Sequence, residues 1–560
     1  MPPSERLRLE YVLEIASALE AVILRSFGPE GGQVLFTRDT GQAMLSRSGT
    51  RILSALHLEH PLARMVVECV WKHSRATGDG SKTFILLLAS LLRRISKAIS
   101  REHGASHTYG FTDAAKAAAA PYLANKLLEF ISSDLEDLIA VNVVPYGFCV
   151  SFEDFTTHRL LVASFFHTRV SHVHCNYLSE LTCQMLNRWK HKSDLPCVSL
   201  QFLSDNFPAL HTPVSGFPVS SSRLIEGQVI HRDFATPRLP NKQQPVKAVV
   251  FTDYMQPVLL SPGDNTMVHF SAWIERTLES VIAKLQSLGV SLLLSAVKQS
   301  DAALALATQA HMSLVECVSE EELSLFVQYV HVGFCEATGS SKVNPCSLVI
   351  CGPGEEQTDQ YICAIRDAVC MLMTTWEPKH TSEAAASHGI GQSNKSSASS
   401  DMTTQSTANE PYVLKKCVLE PGWVIPAGGT FEFLLSKALL NPSSDTLPSV
   451  SQLLANALLS VPRQIYSHSP KLFLQAQTRI MSSVQSPSNP LRLKQSMSGS
   501  MVDLGLESVA CKCQLILAVV QCATSVLRVD TLLHTHTALH TQSKKRTNSS
   551  QESTEDEEED

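Results

Sequence analysis

The sequence predicts a mixed α+β chain in which a discontinuous, mainly helical domain is interrupted by inserted α/β material. Three observations carry this reading. The opening stretch repeats apolar side chains at helical spacing, the middle alternates short buried strands with helices, and helical patterns then return and run nearly to the end.

Taken in order, residues 6–26 place Leu9, Val12, Leu13, Ile15, Leu19 and Ile23 at helical spacing. FGPEGG (27–32) breaks that helix, as glycine and proline do. LEHPLARMVVECVWKH (58–73) is a second amphipathic helix, with Leu62, Met65, Val66, Cys69 and Val70 on one face. The loop TGDGSKT (77–83) leads into FILLLASLLRRISKAI (84–99), which is apolar almost all round and therefore buried. Further on, KAVVFTDYM (247–255) and GVSLLLSAV (289–297) read as strands. FSAWIERTLESVIAKLQSLG (270–289) and SDAALALATQAH (300–311) read as helices between and after them. CSLVICGPG (346–354) is a buried strand ending in a turn, followed by the helix DQYICAIRDAVCMLM (359–373). Residues 379–410 hold almost no large apolar groups and cannot offset their ordering entropy, so they read as a disordered insertion. Helices resume in FEFLLSKALL, VSQLLANALLSVPRQIY and ESVACKCQLILAVVQCATSVLRV, and residues 541–560 form a solvated acidic tail.

With 560 residues, 44% of them hydrophobic, the chain is too long for one compact domain. Its net charge of −7, without a basic stripe interleaved with aromatics, excludes a dedicated nucleic-acid binder. Residues 1–20 carry charges where a signal peptide needs an apolar core, and no apolar run is read as reaching the roughly 18 residues that span a bilayer. The expectation is a soluble, intracellular chain with no membrane insertion. Fifteen cysteines without CxxC spacing read as reduced, mostly buried thiols. His534, His536 and His540 can hold a metal, but no further ligand group is evident, and a solvated tail is the plainer reading.

The loop TGDGSKT raises the question of chemistry. It is not a Walker A loop, because Ser81 rather than glycine precedes Lys82 and the element before it is a helix. Backbone amides at the start of the second helix can bind phosphate oxygens, with Gly78 and Gly80 allowing close approach. Asp79 needs a bridging cation to sit beside phosphate, and Ser81 and Thr83 can cap the helix or bind phosphate. An ordinary capped turn between helices is the competing reading.

FGPEGG, LSRSGTRIL (45–53) and TGDGSKT occur in the order in which group II chaperonins carry LGPKG, NDGATIL and GDGTT. SRLIEGQVI (222–230), CSLVICGPG with AIRDAV (364–369), VIPAGGTFE (424–432) and the closing LGLESVACKCQLILAVVQCATSVLRVD continue the resemblance, which covers roughly residues 8–535. LHLEHPLARMVVECV joined to TGDGSKTF is similar to the vertebrate Bardet–Biedl syndrome chaperonin-like branch. The resemblance implies a three-domain subunit. A mainly α equatorial domain takes 1–150 and 424–540, an intermediate domain takes 151–205 and 345–423, and an α/β apical domain with a shortened lid takes 206–344. It implies ATP, with Mg2+, held by Gly28, Pro29, Gly78, Asp79, Gly80, Ser81, Lys82, Thr83, Gly428 and Gly429. Asp79 stands as the metal ligand and Asp367 as the carboxylate that orients water. A surface acid on a helix is the plain alternative for Asp367.

Three departures matter. Ser48, preceded by Arg47, replaces the NDG aspartate; Glu30 replaces the lysine of LGPKG; Lys82 replaces the second threonine of GDGTT. Lys82 can take part of a cation's charge and hold phosphate, which favours binding, whereas a missing carboxylate disfavours hydrolysis. The expectation is a nucleotide binder with a degenerate ATPase site. Pro257, Pro262 and Gly263 argue against a long lid helix, and Leu259, Leu260 and Phe270 read as core before client surface. The implied function is a chaperonin-like assembly factor for the BBSome. It would work with sibling Bardet–Biedl chaperonin-like proteins and the cytosolic chaperonin CCT, in the cytoplasm and at the cilium and basal body. A nucleotide-independent scaffold and an active folding ATPase are the alternatives.

Overall fold

The computed structural model describes residues 4–6, 9–28, 30–37, 41, 43–105, 113–189, 196–236, 246–256, 267–334, 346–377, 420–440, 448–485 and 505–533. The insertion at 379–410, the acidic tail, His534, His536, His540, Leu259, Leu260 and Pro29 lie outside the described residues.

Local sequence sets the first helices. Helix α1 (Leu9–Leu24) buries Val12, Ala16, Leu19 and Ile23 at spacings of three and four, one stripe of a 3.6-residue period. Two short strands follow, β2 (Val34–Thr37) and β3 (Ala43–Ser46), paired as an antiparallel hairpin, then α2 (Gly49–Ser54). Helix α3 (Pro61–Thr77) has proline at its first position, where no amide is needed, and the Leu62 N–H donates to Nδ1 of His60. It stops at Gly78, whose left-handed φ of 67° lets its N–H close on the Ser74 carbonyl at 2.7 Å. Helix α4 (Ser81–Ala105) is buried without a break from Phe84 to Leu92, as its all-round apolar pattern requires.

These helices share one core with α5 (Asp113–Asn142), α13 (Thr430–Leu440), α14 (Pro448–Leu458) and α17 (Val509–Leu527). Strands from early and late in the described residues pair with each other. Strand β1 (Ser4–Arg6) pairs antiparallel with β13 (Thr531–Leu533), Ser4 opposite Leu533. Contrary to expectation, α17 is long and apolar enough to cross a membrane by length and composition. Its length is spent inside the protein: Val509, Ile516, Val519, Val520, Ala523 and Val526 all belong to the first core.

A second core gathers α6 (Phe155–His167), α7 (His172–Trp189), α8 (Pro196–Leu210) and α12 (Glu355–Trp376) around a three-stranded sheet. In that sheet β10 (Cys346–Gly352) runs parallel to β5 (His211–Ser215) and antiparallel to β6 (Arg223–Glu226). The third unit is α/β. Strands β7 (Lys247–Phe251), β8 (Val290–Ser295) and β9 (Ser313–Val315) are parallel neighbours, linked by α9 (Met267–Ser287) and α10 (Asp301–Gln309). Parallel strands need crossovers, and the alternating pattern of the middle sequence supplies them. A small sheet of β4 (Phe148–Cys149), β11 (Trp423–Pro426) and β12 (Leu506–Ser508) connects distant parts of the chain. The thirteen described cysteines are all free, and seven are buried.

Candidate nucleotide site

Three loops meet at the start of α4. The first is Gly78–Gly80, where both glycines have positive φ, 67° and 81°. The Thr77 hydroxyl, bonded to the His73 and Asp79 carbonyls, holds this loop to the end of α3. There is no room for a side chain at Gly78, because a Cβ there would strike the backbone carbonyl of Asp367 on α12. The second loop ends α1 at Gly28, which has a φ of 78° and open space where a Cβ would stand. The third is Ser46–Gly49, where a Cβ on Gly49 would lie 2.6 Å from Ser81 Oγ and from Lys82 Cγ. The Ser48 hydroxyl sits 2.8 Å from that of Thr50.

Charge is concentrated here. Arg169, in the turn between α6 and α7, places Nη2 at 2.8 Å from Asp79 Oδ1 and at 3.1 Å from the Gly78 carbonyl, with its guanidinium 3.6 Å from the centre of the Phe165 ring. Burial pushes the Asp79 carboxyl up, but the Arg169 guanidinium overcomes this and holds it below the usual carboxylate range. Lys82 donates from Nζ to the Ser26 carbonyl at 2.7 Å and the Thr168 carbonyl at 3.1 Å. Burial, with repulsion from Arg169 and Arg47, brings its pKa down to about 7. Burial likewise lifts Asp367 to about 6, against the pull of Arg169 and Arg366.

On the far side, Gly428 and Gly429 have φ of 85° and 86°, the Tyr466 hydroxyl donates to the Gly428 carbonyl at 3.1 Å, and Gly429 lies against Pro462. Helix α13 follows at once and carries Glu432, which receives Lys512 Nζ at 2.8 Å, while Glu507 lies 3.1 Å from the same ammonium. Burial pushes the Lys512 ammonium down, but the two carboxylates more than reverse this and raise it well above the usual lysine range. Lys512 also helps to hold the Asp79 carboxyl down, after the larger pull of Arg169.

Gly28, Gly78, Asp79, Gly80, Ser81, Lys82, Thr83 and Asp367 thus converge on one joint between the first and second cores, with Gly428 and Gly429 on the chain leading to the Glu432–Lys512 pair. Sequence reasoning missed Arg169, the bonding of Arg47 to the second core, and the Lys512 group. A signal existed for the last: a lysine within the apolar run of α17 and a glutamate inside TFEFLL cannot be buried singly.

A nucleotide suits this joint. The first amides of α4 have no intrahelical acceptor, and the backbone at Gly28 is bare, whereas Gly78 and Gly80 pack against Asp367, His73 and Leu515. A magnesium ion does not suit it as arranged. The Asp79 carboxylate is already neutralised by Arg169, Ser48 offers a hydroxyl where a second carboxylate would be needed, and no group of three or more His, Cys, Asp or Glu among the described residues can hold a metal.

Residues 19–334 match the model of the TCP-1/cpn60 chaperonin family. The chain is 30% identical over 417 residues to the BBSome complex assembly protein BBS10 of Homo sapiens, covering 64% of this chain and 56% of that protein. It is 32% identical over 380 residues to BBS10 of Mus musculus, covering 62% and 52%. It is 23% identical over 478 residues to T-complex protein 1 subunit alpha of Dictyostelium discoideum, covering 82% and 79%. The matched chain thus spans little more than half the length of the BBS10 relatives. A group III chaperonin crystallised in the open state shares the fold, with a TM-score of 0.58, 17% identity, and coverage of 94% of this chain and 98% of that one.

Proposed function

Because the chain belongs to the TCP-1/cpn60 chaperonin family, we propose that it works as a chaperonin-like assembly factor that helps to build the BBSome and binds ATP with slow or absent hydrolysis. The likeness to BBS10 proteins of two mammals carries the assembly role. In this reading the first core is the equatorial part of such a subunit, the second the intermediate part, which takes in residues 207–226 that the sequence reading gave to the apical part, and the α/β unit with its two smaller clusters the apical part. Its partners are sibling Bardet–Biedl chaperonin-like proteins, CCT subunits and BBSome subunits as clients, and its place is the cytoplasm, the cilium and the basal body.

In this reading the α4 amides and Gly28, Gly78 and Gly80 receive the phosphates, and Gly428 and Gly429 border the base and sugar. Asp367, with a pKa near 6, is mostly ionised at neutral pH and orients water from the second core. Hydrolysis is slow because Ser48 contributes no carboxylate. Co-purification of the full chain from ciliated cells tests the role: CCT and BBSome subunits are expected, and their absence would sink it. Equilibrium binding of labelled ATP, beside phosphate release, tests the site. A nucleotide-independent scaffold is the second reading, and the Asp79–Arg169 pair favours it, because the acid of the loop is satisfied by protein alone.

A further inference from the structure

We infer that this chain clasps its first and second cores together with its own cationic side chains, so that the joint closes without nucleotide or divalent cation. The inference shares the site described above but does not depend on whether ATP binds there.

The turn between α6 and α7 is the element seized. Three of its four residues bond across the joint. The Thr168 carbonyl accepts from Lys82 Nζ at 3.1 Å, Arg169 reaches Asp79 and the Gly78 carbonyl, and the Val170 carbonyl accepts from Arg47 Nη1 at 3.1 Å. The traffic runs both ways, with two cations from the first core and one from the second, so the turn can neither slide nor rotate without breaking a charged bond. The same ammonium of Lys82 also holds the Ser26 carbonyl just before Gly28, tying a second loop of the first core to the turn.

Helix α12 completes the clasp from behind. Gln360 Nε2 donates to the Arg169 carbonyl at 2.8 Å, Thr374 Oγ1 donates to the Ala76 carbonyl at 3.3 Å, and Arg51 faces Glu356 at 3.4 Å. The Asp367 backbone rests on Gly78 with no space between them. Here Arg47, Arg169 and the Lys82 amine make the bonds, and their acceptors are backbone carbonyls and one carboxylate of the chain itself.

Hydrogen exchange on the full chain, in nucleotide-free buffer containing EDTA, tests this. Peptides covering 76–84, 165–171 and 360–371 are expected to be protected at least about tenfold more than in the Arg47→Gln/Lys82→Gln double variant, while α17 exchanges alike in both. If that variant does not fold, the wild-type chain alone decides. Addition of ATP with magnesium is expected to change those peptides by less than about twofold. Protection that appears only with ATP and magnesium overturns the inference, as does equal exchange in wild type and a folded variant. Failure of ATP to bind at all would strike the nucleotide reading and leave this result standing.

Discussion

Arg169 and Asp79 stand ninety positions apart in sequence and 2.8 Å apart in space. The pair bridges the turn after α6 and the loop before α4, and so joins two cores through one ion pair. Removing the guanidinium alone leaves a carboxylate between two packed surfaces. Arg169→Gln is therefore expected to cost about 2 kcal/mol, less than for a fully enclosed pair because Asp79 is partly open to water. Arg169→Gln combined with Asp79→Asn should recover part of that loss. A double-mutant cycle by urea unfolding reads the coupling; additive losses would contradict the pairing.

Lys512 is the larger liability. Its ammonium is enclosed with Glu432 and Glu507, and neither carboxylate has another cation in reach within the group. Lys512→Met should destabilise by about 4 kcal/mol or prevent folding. The triple variant Lys512→Met/Glu432→Gln/Glu507→Gln should be markedly more stable than the single one, since it carries no stranded charge. Soluble yield and thermal midpoint compare the two.

His73 gives the chain an acid limit. Burial lowers its pKa from 6.5 to about 4, against the pull of Asp79. The folded state therefore binds fewer protons than the unfolded state between those values. Its full contribution is present above pH 6.5 and is lost as pH falls toward 4, amounting to about 3 kcal/mol over the window. His73→Leu should flatten the fall in urea midpoint between pH 6.5 and 5; an unchanged slope would mean that another group titrates there.

Gly78→Ala should act as a wedge. The left-handed φ costs about 1–2 kcal/mol by itself, and the new methyl group would collide with the Asp367 carbonyl. Gly216→Ala is the control, with a φ of 84° but nothing near its Cβ, so it carries the strain alone. Pulse proteolysis should cut the α6–α7 turn faster in the first variant than in the second.

Much of this was legible from residues in order. The stripe of α1, the glycine stop after α3 and the apolar run of α4 follow from period and turn chemistry, which act over a few positions. The meeting of FGPEGG, LSRSGT and TGDGSK was legible only through resemblance, since nothing in their spacing makes three loops converge. The apolar length of α17 was underrated because its polar members, Lys512 among them, interrupt the eye but not the burial.

By itself the sequence determined the helices α1, α3, α4, α12 and α17, the strands of the α/β unit and the glycine turns, while the resemblance marked the departures at 30, 48 and 82. Only the tertiary structure decided what the charged groups of the loop touch: Lys82 holds the Ser26 and Thr168 carbonyls, and Asp79 holds Arg169. The reason is range. Helix and turn preferences are local energies, whereas the partner of a buried charge is set by which distant backbone the packing of two cores brings within three ångströms of it.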